Sequence, residues 1–304
     1  MASGMVTRGI NNIYTVETED GREYLCRIKG KKLRGVEEDR TPITVADRVT
    51  FDDAGGLQGV ITGRSERTNQ FTRYHLKRRE VQTLFSNVDV VVCVVSTDQP
   101  PLKPGFIDRV IVCAGSIPVV IACNKADLGI SNGQIDVLTC YDSLGFQVFR
   151  VSAETGSGVD ALHHYITDKR SAFFGQSGVG KSSLVNRIMP GASQKTMEIC
   201  RKYNKGRHTT NFSILLKSGD GRLEIIDTPG VREIEIPPMD PRDIAVHYPE
   251  FERFTSRCRF SPCLHIHEPD CSVRKAAETG IVDAGRYERY VRMTEDQVIR
   301  ERSW

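Results

Sequence analysis

Gly175-Gln176-Ser177-Gly178-Val179-Gly180-Lys181-Ser182 is the stretch on which the reading of this chain turns. It follows the apolar Ala172-Phe173-Phe174 and precedes the helical Ser183-Leu184-Val185-Asn186, so strand, glycine-rich turn and helix start come in that order. In this setting G-x-x-x-x-G-K-[ST] predicts a phosphate-binding loop. The glycines let backbone N–H groups wrap the phosphates, and the helix N-terminus adds a favourable dipole. Lys181 is expected to reach the β- and γ-phosphates, and the Ser182 hydroxyl to ligate magnesium, with Gly175–Ser183 forming the cradle.

Three motifs on either side sharpen this. Asp227-Thr228-Pro229-Gly230 follows the strand-like Leu223-Glu224-Ile225-Ile226, which puts the Asp227 carboxylate toward the metal and the Gly230 N–H toward the γ-phosphate. Asn124-Lys125-Ala126-Asp127 follows the apolar Val119–Cys123 and matches the guanine-reading N-K-x-D. Asp127 can accept from both N1–H and the 2-amino group of guanine, a pairing adenine cannot offer, and a site left with unpaired polar groups rejects the wrong base strongly. Ser152-Ala153, closing Val148–Val151, matches the turn that donates backbone N–H to the base. The order is unusual. Asn124–Asp127 and Ser152-Ala153 come before the phosphate loop, whereas ordinary GTPases place them after D-x-x-G, so the predicted G domain is circularly permuted.

The 304 residues, 39% hydrophobic and 27% charged, are ordinary globular usage and exclude a wholly disordered, collagen-like or coiled-coil chain. The apolar run Val88–Val95 is interrupted by Asp89 and is far short of the ~20 residues a spanning helix needs. No export signal is evident, so a cytoplasmic, membrane-free protein is expected, and a monomer. The 42 basic and 39 acidic residues give a net charge of +3, which leaves the partner open.

Ahead of the G domain, Ile13–Thr18, Tyr24–Ile28, Ala46–Phe51 and Leu57–Ile61 read as short strands between turns, predicting a small β-barrel. An OB-fold leads, and an SH3-like barrel is the alternative. Arg64–Arg79 carries six basic residues with Phe71, Tyr74 and His75 between them, a pattern suited to RNA or to a solvated linker. Between Val81 and Val231 apolar runs alternate with amphipathic stretches, as in an α/β doubly wound plan. After the proline-rich Glu235–Pro241 comes Cys258-x4-Cys263-x-His265-x5-Cys271, a ligand set for a closed tetrahedral zinc site. His267 is a competing ligand, and a structural zinc is expected, since a catalytic one keeps an open position and a nearby acid, which Glu268 alone does not establish. The predicted architecture is thus a multidomain chain. An N-terminal OB-fold β-barrel covers residues 1–76, a central α/β P-loop GTPase domain with circular permutation 77–234, and a zinc-binding, mainly α domain 235–304.

A barrel, a permuted G domain and a cysteine/histidine cluster in this order resemble the ribosome small subunit-dependent GTPase A family over essentially the whole chain. The resemblance implies GTP binding and hydrolysis to GDP with Mg2+, stimulation by the small ribosomal subunit, contact with its rRNA, and a role as a checkpoint in late maturation of that subunit. Gly206-Arg207-His208-Thr209-Thr210 resembles the family's first switch, G-x-H-T-T. Thr209 is expected to ligate magnesium, with Thr210 close behind. Val231 stands directly after Gly230, where many GTPases place a water-orienting glutamine, and a valine can neither accept a proton nor hold water. Slow turnover of the isolated protein is expected. His208 is the candidate to orient water, Lys181 and Gly230 acting with it; contact of His208 with RNA alone is the competing reading. Two other functions stay in view: an RNA-binding module for which GTP is a conformational ligand, and a GTPase acting in translation or on other RNA.

Overall fold

The computed structural model describes residues 1–10, 12–28, 33, 41–192 and 212–301. Five strands, β1 (Ala2–Ile10), β2 (Ile13–Glu17), β3 (Glu23–Ile28), β4 (Arg48–Gly55) and β5 (Gln58–Arg64), close in the order 1-2-3-5-4-1. Only β3 and β5 run parallel. This five-stranded closed barrel is the expected OB-fold. Period-2 alternation fills it: Tyr24 and Cys26 of β3 point inward with Val6, Val16, Phe51 and Ile61, while Leu25 and Arg27 face out. Strand β1 is an addition to the sequence reading.

The basic stretch after the barrel is a hairpin rather than a linker: β6 (Gln70–His75) pairs with β7 (Glu80–Ser86). Several of its cations have internal work. Arg67 is buried on Asp47 at 2.8 Å, whose carboxylate also accepts from Ser86 Oγ and the Thr44 N–H. Arg64 donates to Pro42 O and Arg73 to Gln82 Oε1. Lys77, Arg78 and Arg79 are exposed at the hairpin tip. Phe71 stacks on Phe85 and touches Phe174, at ring separations of 4.8 Å, so the hairpin packs on the strand that feeds the phosphate loop.

The G domain is a six-stranded sheet ordered β10-β9-β8-β11-β13-β12. Its strands are β8 (Val90–Ser96), β9 (Val119–Asn124), β10 (Val148–Arg150), β11 (Lys169–Gly175), β12 (Ile214–Lys217) and β13 (Leu223–Asp227), all parallel except β12. Both faces are covered, which is why β8 reads as a continuous apolar run. Val91, Cys93 and Val95 join one core with helix α1 (Pro104–Ala114). Val90, Val92 and Val94 join the other, under α3 (Val159–Ile166) and α4 (Lys181–Ile188). Helix α2 (Asn132–Ser143) was not named from sequence, although its capping box, Ser131 with Gln134, is a legible start signal. β12 meets the barrel through Arg8 opposite Ile214 and a Lys217–Glu17 ion pair of 2.9 Å.

After Val231 the chain crosses to a small domain of short 3-10 turns, a one-turn helix (Glu252–Thr255) and two longer helices, α5 (Ser272–Glu278) and α6 (Ala284–Glu301). Its hold on the G domain is ionic and buried. Asp108 of α1, fully enclosed, accepts from Arg286 and Arg289 of α6 and from Tyr141 Oη at 2.6 Å; Arg286 also reaches Glu250. The Arg286 guanidinium lies over the Tyr248 ring at 4.4 Å. Removing one partner of such a cluster leaves charge buried without compensation, typically at a cost of about 3–5 kcal/mol. Asp108→Ala is therefore expected to lower unfolding stability by about that much; a urea midpoint equal to wild type would contradict the role assigned to this cluster.

Candidate functional site

Strand β11 ends at Gly175 and α4 begins at Lys181, so the connecting turn is held at one end by the central sheet and at the other by the helix. Gly180 takes φ +85°, and a Cβ there would stand 2.4 Å from Asn124 Nδ2, so only glycine fits. Lys181 is buried, and its Nζ donates to Gly175 O (3.2 Å) and Gln176 O (3.4 Å). Burial pulls the Lys181 pKa down, and the nearby Asp227 opposes that.

Asp227 closes β13 beside α4. Its Oδ2 accepts from Ser182 Oγ at 3.1 Å, while its Oδ1 is buried without a hydrogen-bond partner among the described residues. Burial raises the Asp227 pKa against the pull of Lys181 and Ser182. An unsatisfied buried carboxylate oxygen beside a hydroxyl is the hard-oxygen donor chemistry Mg2+ takes, and these two residues fit that ion. Gly230 lies against the loop: a Cβ on it would be 2.8 Å from Ser177 Cα and 3.2 Å from Lys181 Nζ. Val231 packs its side chain on the hydrophobic core.

Asn124 joins the remaining motifs. Its Nδ2 donates to Val179 O (2.9 Å) and its Oδ1 accepts the Ala153 N–H (3.0 Å), so one carboxamide spans the ends of β9 and β10 and the phosphate loop. Asp127 sits exposed in the turn Ala126–Leu128. Ser152 is buried and its Oγ accepts the Thr155 N–H, shaping the turn that carries Ala153. Residues not named from sequence brace this side. Thr97 Oγ1 donates to Lys125 O (2.8 Å), Gln134 Nε2 to Thr97 O (2.6 Å), and Lys125 Nζ to Gln99 O. None belongs to a motif, and the α2 capping box is the one sequence signal that touches them.

The phosphate loop, Asp227, Gly230, Asn124, Lys125, Asp127, Ser152 and Ala153 therefore converge at the ends of the central strands. His208, Thr209 and Thr210 lie outside the described residues. A cavity of about 910 Å3 lies between barrel, hairpin and the segment after Asp227, meeting this site at Gly230.

Cys258, Cys263, His265 and Cys271 form the second cluster, their ligand atoms all within 4.8 Å of one another. Cys258 Sγ and Cys271 Sγ are 3.9 Å apart, and both lie 3.4–3.5 Å from His265 Nδ1. Ligands at about 2.0–2.3 Å from a tetrahedral centre have edges of that length, so the set fits zinc and leaves no open position. Burial keeps the His265 imidazole neutral by lowering its pKa. Burial and the neighbouring Cys271 push the Cys263 thiol up to about 12, so an ion must displace its proton. His267 lies outside the cluster, its side chain exposed 3.5 Å from Glu295. The Glu268 carboxylate accepts the N–H groups of Leu264, Ile266 and His267, a structural task that pins the knuckle. Tyr287 and Tyr290 of α6 donate to His265 O and Leu264 O, both at 2.7 Å. Cys258→Ser is expected to drop bound zinc from one per chain to none and loosen this domain while GDP binding persists; stoichiometric zinc in that variant, by elemental analysis, would contradict the assignment.

The family model described as RsgA GTPase matches residues 64–237. The small ribosomal subunit biogenesis GTPase RsgA of Borreliella burgdorferi (strain ZS7) is 38% identical over 288 residues, covering 94% of this chain and 93% of its own. The protein named small ribosomal subunit biogenesis GTPase RsgA 2 of Bacteroides thetaiotaomicron is 36% identical over 301 residues, 97% and 96% of the two chains. Among solved structures, YjeQ from Thermotoga maritima superposes with a TM-score of 0.73 at 32% identity, covering 98% of each chain. YloQ, described as a circularly permuted GTPase, gives 0.69 at 26% identity over 99% of this chain and 96% of its own.

Proposed function

Because the chain belongs to the RsgA GTPase family, we propose that it binds the small ribosomal subunit, hydrolyses GTP to GDP and phosphate during late maturation of that subunit, and leaves on hydrolysis as an assembly checkpoint. The observation that carries this reading is the convergence of four separated motifs on one site through Asn124, with Lys181 and the unsatisfied Asp227 Oδ1 at its phosphate end. No helix among the described residues is long and apolar enough to cross a membrane. The protein works as a cytoplasmic monomer.

In this reading the Gly175–Ser183 backbone wraps the phosphates, and Asp127 and the Ala153 N–H read guanine, with Lys125 packed along the base. Ser182 and Asp227, joined by Thr209 or Thr210, hold Mg2+, which neutralises charge on the β- and γ-phosphates when bound. Lys181 neutralises the γ-phosphate further, and the Gly230 N–H donates to it. Val231, half-buried against the core, offers no polar side chain at its position to orient water, so His208 takes that task on the ribosome. The domains divide as 1–76, 77–234 and 235–304, and the expected division at residue 76 falls in the hairpin turn. Zinc on Cys258, Cys263, His265 and Cys271 is structural. The hairpin tip Lys77–Arg79 and the exposed Arg253, Arg257 and Arg259 are the surfaces offered to rRNA phosphates.

Phosphate release with and without purified small subunits tests this directly. Turnover should be slow alone and rise at least tenfold at saturating subunits, and His208→Ala should lose most of the rise without losing GTP affinity. Equal rates in the presence and absence of subunits would favour a protein for which GTP is only a conformational ligand.

A further inference from the structure

Gln176 is the second residue of the phosphate loop, yet its side chain serves another segment. It is buried, and its Nε2 donates to Arg232 O at 3.1 Å. The loop backbone meets that segment too: the Ser177 N–H donates to Val231 O (2.8 Å) and the Val231 N–H to Gly175 O (3.3 Å), a parallel bridge centred on Gln176 and Val231. Three hydrogen bonds therefore clasp residues 231–232 to residues 175–177. Immediately before the clasp stands Gly230, whose backbone lies against Ser177 and the Lys181 ammonium. The other end of the segment is tied as well, by the Tyr74 N–H on Glu235 O (2.9 Å) and by Arg300 on the Glu235 carboxylate (2.7 Å). Val231 contributes no polar side chain, so the side-chain hold on the second switch at this point comes from Gln176.

We propose that Gln176 is a positioning residue for GTP hydrolysis: through Arg232 O it fixes the backbone of Gly230 so that its N–H meets the γ-phosphate. GDP lacks that phosphate, so the placement of Gly230 that the clasp gives stabilises the GTP-bound state alone and sets the preference for GTP over GDP. A merely structural glutamine would shift both nucleotides together or neither. The inference rests on the reading of Gly175–Ser182 as the nucleotide loop.

The test compares the full-length protein with Gln176→Met, which keeps the length and loses the donor, and Gln176→Ala, which removes the side chain. Dissociation constants for GDP and for a non-hydrolysable GTP analogue are measured with Mg2+, along with single-turnover hydrolysis. Losing one such hydrogen bond should weaken the analogue by roughly five- to tenfold more than GDP and slow the chemical step by at least as much. An unchanged GDP-to-analogue ratio in either variant that retains GDP binding overturns the proposal. So does tighter analogue binding, which would mean the clasp holds Gly230 away from the γ-phosphate. Absence of GDP binding by the wild-type protein would instead sink the nucleotide-loop reading.

Discussion

The site depends on a single buried carboxamide. Asn124 donates to the phosphate loop at Val179 and accepts from Ala153, so the base side and the phosphate side share one side chain. Moving the ends of a chain changes which loops connect strands but not which strand ends face each other. In a parallel sheet those ends form one crevice, and loops that gather there can build a site whatever their order. Permutation is tolerated because the hydrogen bonds that assemble the crevice run between strand ends rather than along the sequence.

What permutation alters is the exit from the site. Asp227 ends the last strand, and the chain leaves through Val231 and Glu235 to the zinc-cluster domain. That domain is fixed to the G domain by the Asp108–Arg286–Glu250 cluster, and the hairpin is fixed by Phe71 on Phe174. The barrel touches β12 through Lys217 and Glu17. The appended modules thus lean on elements that carry or adjoin the glycine-rich loop and the Asp227–Gly230 turn, so those turns have short mechanical routes outward.

Much of this was legible because the chemistry dictates local sequence. Glycines at Gly175, Gly178 and Gly180, an Asp at a strand end and a Cys3His spacing each have few substitutes. The barrel strands from Ile13 to Ile61 showed through period-2 alternation. Other parts were illegible for physical reasons. The stretch from Arg64 to Arg79 reads as suited to RNA or as a solvated linker, but Arg67 is folded onto Asp47, some twenty positions earlier in the chain, and no local pattern announces a partner that distant. Thr97, Gln99 and Gln134 brace the guanine side through backbone carbonyls, which every residue type possesses. Gln176 reads as part of the cradle through its backbone, and nothing local announces that its side chain reaches Arg232 O.

The account stands most directly on the affinity of an Asn124→Ala variant for GDP, measured by titration calorimetry beside wild type with zinc content checked in both. Loss of two buried hydrogen bonds that join the base and phosphate sides predicts weakening of about tenfold or more, with the zinc-cluster domain intact. A GDP affinity within twofold of wild type would contradict the claim that this one side chain assembles the site.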